Sequence, residues 1–232
     1  MQNILITGAN RGLGLGFVKK FLENKAKVFC TTRSTENSKK LLDYKKNYPN
    51  NLEIIELDLL NENSANILSN ALAELPIDIF LNNAGVIGNS SSQYFSAVSS
   101  KTWLEVLKVN LISPLMITQK IIRNIEKSSD KKIYFLSSKV GSIQDNRSGG
   151  MYIYRSSKTA LNQVVKSLSI DLKPIGISVI ALHPGWVRTD MGGHNALISV
   201  EESVKGMMKV ISNTSIKNSG QFLNYDGKEI PW

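Results

Sequence analysis

Thr7-Gly8-Ala9-Asn10-Arg11-Gly12-Leu13-Gly14 is the stretch that decides the fold, because it joins a predicted strand at residues 3–7 to a predicted helix at residues 13–24. Glycine permits a sharp turn and lets the backbone come close to a pyrophosphate. The N-terminus of the following helix offers unpaired N–H groups to phosphates. The spacing is neither a plain G-x-G-x-x-G nor a loop ending in Gly-Lys-Ser/Thr, and glycines also occur in ordinary turns. The strand–turn–helix context favours a dinucleotide site over a purely structural turn.

Short apolar runs alternate with helical patterns along the rest of the chain. Further strands are predicted at residues 27–32, 52–57, 77–81, 132–137, 177–182 and 221–223. Further helices are predicted at residues 37–48, 64–74, 101–126, 152–173 and 201–211, with Ser99 or Ser100 as the cap of the long one. This alternation is typical of parallel strands covered by helices on both faces. We therefore predict a single α/β domain over residues 1–232, a Rossmann-like doubly wound parallel sheet of about seven strands.

The composition restricts the class of protein. The chain has 232 residues, of which 42% are hydrophobic and 20% charged, so it can bury a sizeable core and disorder is not expected. A single cysteine, Cys30, excludes an internal disulfide framework, and with two histidines no metal centre is expected. Neither a secretory signal nor a transmembrane helix is visible, so we expect no membrane partner. A reduced, cytoplasmic location is predicted.

The excess of basic residues raises the question of nucleic-acid binding. Lys and Arg number 28 and Asp and Glu 19, which gives a formal net charge of +9. The lysine pairs, such as Lys39-Lys40 and Lys131-Lys132, fall on different predicted elements and form no stripe interleaved with aromatic residues. We therefore expect a solvated basic surface and no nucleic-acid partner, with some attraction for anionic ligands.

The chain resembles the short-chain dehydrogenase/reductase superfamily in four motifs that occur in the same order. Thr7 to Gly14 is similar to its cofactor turn, and Asn82-Asn83-Ala84-Gly85 to its second signature. Tyr154-x-x-x-Lys158 is similar to its catalytic pair, and Pro184-Gly185 to its segment after the sixth strand. Longer strings at residues 138–143, 149–158, 183–193 and 226–232 resemble the C-factor and sniffer-type carbonyl reductase subgroup.

Tyr154 and Lys158 lie four residues apart, so both project from one face of the predicted helix. Reduction of a carbonyl needs a proton donor, and a tyrosine hydroxyl can be one, although its ordinary pKa is about 10. A nearby ammonium favours the phenolate, so we expect Lys158, together with the positive charge of the oxidised nicotinamide and a low dielectric, to lower the pKa of Tyr154 towards neutrality. Tyr152 is a weaker candidate, because Ser156 rather than a lysine lies four residues after it.

The resemblance implies two further catalytic residues. Ser138, rather than Ser137, would bind the substrate carbonyl, although both serines could simply satisfy backbone groups at the end of a strand. Asn110, within the long apolar helix, would hold a water that supplies protons through Lys158, whereas a buried asparagine is more often a satisfied structural group. Pro114, four residues later, is compatible with a local kink.

The end of the second strand distinguishes NADP(H) from NAD(H). NAD enzymes place an acidic residue there for the ribose 2′-OH, and an arginine accommodates a 2′-phosphate. Here Thr32 is followed by Arg33, and Arg11 in the glycine turn is a second basic candidate. We therefore predict that NADP(H) is preferred over NAD(H).

By resemblance, Asp58 would contact the adenine, or could instead cap a helix. The full set of predicted cofactor-binding residues is Gly8, Asn10, Arg11, Gly12, Leu13, Gly14, Arg33, Asp58, Leu59, Asn83, Ala84, Gly85, Tyr154, Lys158, Pro184, Gly185, Val187 and Thr189.

These observations predict an NADPH-dependent oxidoreductase that reduces a small ketone or aldehyde to an alcohol. The alternative is a C-factor-like signalling or regulatory protein that keeps the fold and the cofactor site without essential turnover. Because Tyr154 and Lys158 are both intact, the enzyme is favoured. By resemblance, pairing of the long helices predicts a homodimer or homotetramer.

Overall fold

The computed structural model describes residues 1–232, and its seven strands form one parallel sheet. The strands are β1 (Asn3–Ile6), β2 (Lys27–Thr32), β3 (Leu52–Glu56), β4 (Ile79–Asn82), β5 (Lys132–Leu136), β6 (Ser178–His183) and β7 (Phe222–Asn224). Their order across the sheet is β3-β2-β1-β4-β5-β6-β7, and every neighbouring pair is parallel. The order reverses between β1 and β4, and ligands of such sheets bind outside the carboxyl ends of the strands at that point.

Seven α-helices cover the two faces of the sheet. They are α1 (Gly12–Glu23), α2 (Lys39–Asn47), α3 (Ser64–Leu72), α4 (Ser100–Leu107), α5 (Ser113–Glu126), α6 (Tyr152–Asp171) and α7 (Val200–Asn213). None of them is long and apolar enough to cross a bilayer. The prediction of a doubly wound sheet of about seven strands is therefore confirmed.

Two apolar cores lie on opposite faces of the sheet, because successive strand side chains alternate between them. Ile4 and Ile6 face the core formed with α1 and α7, whereas Leu5 and Phe80 face the core formed with α3, α5 and α6. Each large apolar side chain buried in this way contributes about 1.5–3 kcal/mol. Cys30 lies in the first core, and burial raises its pKa to about 12, so the thiol stays protonated and inert.

The long helix predicted at residues 101–126 is interrupted, which corrects the prediction. A π-helical turn, Lys108–Ile112, separates α4 from α5. Pro114 stands at the start of α5, where its missing N–H costs nothing in hydrogen bonding. Ser99, one of the two predicted caps, accepts a hydrogen bond from the N–H of Thr102 at the start of α4. The π-helical turn contains Asn110, so the irregularity falls on a predicted site residue.

Candidate active site

A cleft of about 830 Å³ runs along the carboxyl ends of β1 and β4 and contains most of the predicted site. The predicted residues that line it are Gly8, Asn10, Arg11, Gly12, Leu13, Gly14, Arg33, Asp58, Leu59, Asn83, Ala84, Gly85, Tyr154, Lys158, Pro184 and Thr189. The other four, Ser138, Asn110, Gly185 and Val187, are not among its lining residues. Val187 is buried and its backbone pairs with Ile198, so it supports the wall rather than facing the cleft.

The glycine turn is packed tightly against the turn that follows β4. Gly8 has φ +66°, and a Cβ atom there would lie 2.8 Å from the Cα of Ala84. The Asn83 amide donates hydrogen bonds to the carbonyls of Thr7 and Gly8, and the Thr7 hydroxyl accepts from the N–H groups of Asn83 and Ala84. The packing around Gly14 is tighter still, because a Cβ atom added there would lie 2.3 Å from the Gly8 carbonyl oxygen. Glycine is therefore required at positions 8 and 14 for close approach of the two turns.

Gly14→Ala is expected to destabilise the protein by about 1–3 kcal/mol, because the added methyl group overlaps the Gly8 carbonyl and forces the two turns apart. Thermal unfolding measures the loss, and Lys19→Ala on the exposed face of α1 is the matched control. A Gly14→Ala protein with the same melting temperature as Lys19→Ala would contradict this account of the packing.

The N-terminus of α1 is suited to an anion. Arg11 is the N-cap residue but makes no side-chain capping hydrogen bond, and the first turn contains no acidic residue. The first N–H groups of a helix lack intrahelical partners and carry the positive end of its dipole. With the close-packed glycines beside it, this turn fits the pyrophosphate of a dinucleotide cofactor.

The basic side chains that line the cleft include Arg11, Arg33 and Lys40. Arg11 forms an ion pair with Asp190 at 2.5 Å, and both side chains are exposed, so the pair is weak. Arg33 is exposed and makes no ion pair. The third is Lys40. Lys40 is not predicted from the sequence as a cleft residue, because the pair Lys39-Lys40 is assigned to the solvated surface. Its nearness to Arg33 along the chain was the available signal.

Asp58 lines the cleft directly after β3, and its carboxylate accepts a hydrogen bond from the N–H of Leu60 at 3.0 Å. This contact fixes the local turn and leaves the second carboxylate oxygen without a protein partner. Asp58 therefore lies in the cleft as predicted, whereas the alternative of a helix cap is wrong, because the next helix begins at Ser64 with Asn63 as its N-cap.

Tyr154 and Lys158 lie one turn apart on α6 at the far end of the cleft. Lys158 is buried, and its ammonium donates to the carbonyl of Leu136 at 2.8 Å while lying 5.8 Å from the centroid of the Tyr154 ring. The Tyr154 hydroxyl has the thioether sulfur of Met191 at 3.9 Å. Tyr152, the rival candidate, does not line the cleft, is exposed and packs against Phe95.

The Tyr154 hydroxyl is protonated in the protein alone, and the pKa near neutrality expected with the oxidised nicotinamide present stays a prediction. Burial raises the pKa of Tyr154 to about 12, and the neighbouring Ser138 hydroxyl opposes this rise only in part. Burial lowers the pKa of Lys158 to about 8. In the protein alone the Lys158 ammonium is directed to the Leu136 carbonyl rather than to the tyrosine hydroxyl.

The two serines after β5 have different surroundings. Ser137 is buried, and its hydroxyl donates to the side-chain oxygen of Asn162 at 2.6 Å. Ser138 is half-buried, accepts a long hydrogen bond from the N–H of Val140, and lies close enough to Tyr154 to influence its pKa. Ser137 lines the cleft and Ser138 does not, but the Ser137 hydroxyl is already bonded to Asn162, so Ser138 stays the predicted carbonyl-binding serine.

Asn110 is buried in the π-helical turn and has a fully bonded side chain. Its oxygen accepts from the N–H of Val86, and its nitrogen donates to the Val86 carbonyl and to the Ser157 hydroxyl. The amide thereby ties the segment after β4 to α6. A structural role is evident from these contacts, whereas the predicted relay role stays a prediction.

His183, at the end of β6, is the buried titratable group beside this site that carries no predicted role. Its Nδ1 atom is buried without a hydrogen-bond partner, and burial lowers the pKa of the ring to about 4. The ring is therefore neutral at physiological pH.

Comparison with known proteins identifies the family. Residues 2–197 match the short chain dehydrogenase family, a range that includes the glycine turn, Tyr154 and Lys158. The chain belongs to the short-chain dehydrogenase family. Members of this family that resemble it place it in the carbonyl reductase and C-signal subgroup, as the sequence motifs predicted.

Three similar short-chain dehydrogenases support this placement. The C-signal protein of Myxococcus xanthus is 38% identical over 160 residues, which cover 68% of this chain and 93% of that relative. The structure of the carbonyl reductase Sniffer of D. melanogaster matches with a TM-score of 0.94 and 39% identity over the full length of both chains. The NADPH-bound carbonyl reductase from chicken fatty liver matches with a TM-score of 0.91 and 35% identity, covering 100% of this chain and 99% of that one.

Proposed function

We propose that this oxidoreductase uses NADPH to reduce a ketone or aldehyde to an alcohol, acting as one domain over residues 1–232. The observation that carries the proposal is that Tyr154 and Lys158 line the same cleft as the glycine turn, with Ser138 close to Tyr154. The carbonyl reductase structures that the chain resembles over its whole length support the same reaction class.

Each residue has a separate role in the proposed reaction. NADPH, when bound, supplies the hydride. The Ser138 hydroxyl donates a hydrogen bond to the substrate carbonyl, and the Tyr154 hydroxyl gives its proton to the oxygen as negative charge develops there. Lys158 favours the phenolate that remains and holds the nicotinamide ribose, and Asn110 supports the path by which the proton is replaced.

The proposed preference for NADP(H) rests on the basic residues that line the cleft. Arg33 follows β2 directly, Arg11 lies in the glycine turn, and Lys40 lines the same cleft. No acidic side chain follows β2 before Glu36, which is not among the lining residues of the cleft. A 2′-phosphate is therefore favoured over a free 2′-OH.

The function is tested with a panel of ketones, aldehydes and quinones, scored by the loss of NADPH absorbance. Turnover of at least one carbonyl compound by the wild-type protein is expected. Its absence across the panel, with NADPH binding intact, would favour a protein that binds the cofactor without turnover.

A signalling role is the second candidate, and the similarity to the C-signal protein is the observation that favours it. The two candidates differ in whether the biological effect requires turnover. A Tyr154→Phe protein that keeps the biological effect while losing reductase activity would support the signalling role. The homodimer or homotetramer and the cytoplasmic location stay predictions from the sequence.

Lys158→Ala is expected to lower turnover by ~10²-fold or more and NADPH affinity by about tenfold, or about 1.4 kcal/mol. The reason is that one ammonium is proposed both to stabilise the phenolate and to bind the ribose. Steady-state kinetics and cofactor titration measure the two effects separately. Lys166→Ala, on the exposed face of the same helix, is the control. Wild-type NADPH affinity in Lys158→Ala would remove the ribose contact from the proposal.

A further inference from the structure

Gln93 is a buried side chain that joins two walls of the cleft. It lies in the polar loop between β4 and α4, and only 4% of its surface is exposed. Its amide nitrogen donates to the carbonyl of Ile87 at 2.7 Å, and its amide oxygen accepts from the N–H of Tyr154 at 3.2 Å. One end of the amide therefore holds the segment after β4, and the other holds the backbone of the proposed proton donor.

The first turn of α6 has no local cap, so the hydrogen bond from the Tyr154 N–H to Gln93 is important for this turn. Met151, the N-cap residue, is left-handed with φ +50° and makes no capping hydrogen bond. The N–H of Tyr154, the third residue of α6, has no partner within the helix. Arg155 is the first residue of α6 whose N–H bonds back to Met151. Gln93, from a distant part of the chain, thus supplies the acceptor that this turn lacks.

The carbonyl side of Tyr154 is held from the same part of the chain. The Ser157 hydroxyl donates to the Tyr154 carbonyl at 2.8 Å and accepts from the Asn110 amide at 3.0 Å. Asn110 in turn binds both backbone groups of Val86. Two amide side chains therefore connect the adjacent residues Val86 and Ile87 to the two backbone groups of Tyr154.

We propose that Gln93 is a positioning residue that fixes the Tyr154 hydroxyl relative to the cleft by capping the first turn of α6. This inference rests on the proposed reductase function, in which Tyr154 donates the proton. Gln93 does not touch the reacting atoms, so its effect is on geometry. A displacement of about 1 Å at a reacting group can cost ~10²-fold in rate.

Three variants separate positioning from general stability. Gln93→Leu keeps a similar volume but removes both hydrogen bonds. Gln93→Glu keeps an acceptor for the Tyr154 N–H. Because the site is buried and its other end faces the Ile87 carbonyl, the carboxyl is expected to be protonated and to donate to that carbonyl. Ser91→Ala is the matched control, because Ser91 is exposed in the same loop and its hydroxyl bonds only to Asn89.

Amide exchange in the cofactor-free protein is the direct readout. In Gln93→Leu the Tyr154 N–H is expected to exchange at least tenfold faster than in the wild type. In Gln93→Glu and Ser91→Ala its protection is expected to remain. Unchanged protection of this amide in Gln93→Leu would overturn the inference without reference to any substrate.

Kinetics provide the second readout. Gln93→Leu is expected to lower kcat by about 10- to 100-fold with the NADPH dissociation constant within about twofold of the wild type. Gln93→Glu is expected to recover part of kcat, because it restores the acceptor for the Tyr154 N–H. An unchanged kcat in Gln93→Leu, or equal losses of kcat, cofactor affinity and melting temperature, would overturn the inference.

The failure of this inference can be told from the failure of the proposed function. If Tyr154→Phe turns over at the wild-type rate, the proton-donor assignment fails and the kinetic part of the inference with it. If Tyr154→Phe is inactive and Gln93→Leu is unimpaired, only the positioning role of Gln93 fails.

Discussion

Tyr154→Phe is expected to lose most of the turnover, by ~10²–10⁴-fold, while its NADPH affinity stays near that of the wild type. The substitution removes only the hydroxyl that would give its proton to the developing alkoxide. The ring, its position on α6 and the buried Lys158 ammonium beside it are retained. Steady-state kinetics with the best substrate of the carbonyl panel and a cofactor titration measure the two quantities.

Tyr152→Phe is the matched control for this experiment. Tyr152 lies two residues earlier in α6, is exposed, and packs against Phe95 outside the cleft. The same loss of one hydroxyl there is expected to leave turnover unchanged. A Tyr154→Phe enzyme that keeps the wild-type rate, or a Tyr152→Phe enzyme that loses it, would contradict the assignment of Tyr154 as the proton donor.

The protonation state of Tyr154 is compatible with reduction at neutral pH. Burial raises its pKa to about 12 in the protein alone, so the hydroxyl carries the proton that the reaction requires. Reduction then declines only as the pH rises through the pKa that Tyr154 has in the working complex.

The sheet could be predicted from the sequence because its strands are buried on both sides. Such strands are largely continuous apolar runs, and the run at residues 77–81 predicts one of them, which the structure has at Ile79–Asn82. The π-helical turn Lys108–Ile112 could not be recognised in the same way. One extra residue in a single turn hardly changes the apolar periodicity of a long helix, and Pro114 alone indicated that the helix was irregular there.

Parts of the proposed site that depend on local sequence could be predicted, whereas parts that depend on contacts between distant residues could not. The glycine turn and the spacing of Tyr154 and Lys158 are local features of the chain, so a motif can reveal them. Gln93 acts on a residue 61 positions away, and the loop that contains it has no periodic pattern. The direction of the Lys158 ammonium likewise depends on the Leu136 carbonyl, 22 positions away, which no spacing rule predicts.

Arg33→Asp is expected to shift the cofactor preference from NADPH towards NADH. A 2′-phosphate carries nearly two negative charges, and an arginine can meet it with two charge-assisted hydrogen bonds, each worth about 1.5–3 kcal/mol. Arg33 is exposed in the cleft and makes no ion pair, so its guanidinium is available for this contact. A carboxylate at this position removes the contact, repels the phosphate and offers an acceptor to the 2′-OH of NADH.

The loss of NADPH affinity should be partial because other cations line the same cleft. Lys40 remains close to Arg33 along the chain, and Arg11 remains in the glycine turn, although its pairing with Asp190 reduces its availability. We therefore expect NADPH affinity to fall by roughly tenfold to several hundredfold, or about 1.4–3.5 kcal/mol. NADH affinity should rise or stay unchanged.

Dissociation constants of both cofactors for the wild type and the variant measure this shift, at one fixed ionic strength because salt screens exposed charges. Arg147→Asp is the matched control, since it makes the same change in net charge at an exposed arginine outside the cleft. If Arg147→Asp weakens NADPH binding as much as Arg33→Asp does, the effect is one of net charge rather than of contact. If the wild type binds NADH as tightly as NADPH, or the ratio is unchanged in Arg33→Asp, then Arg33 does not read the 2′-phosphate and the preference for NADP(H) loses its main support.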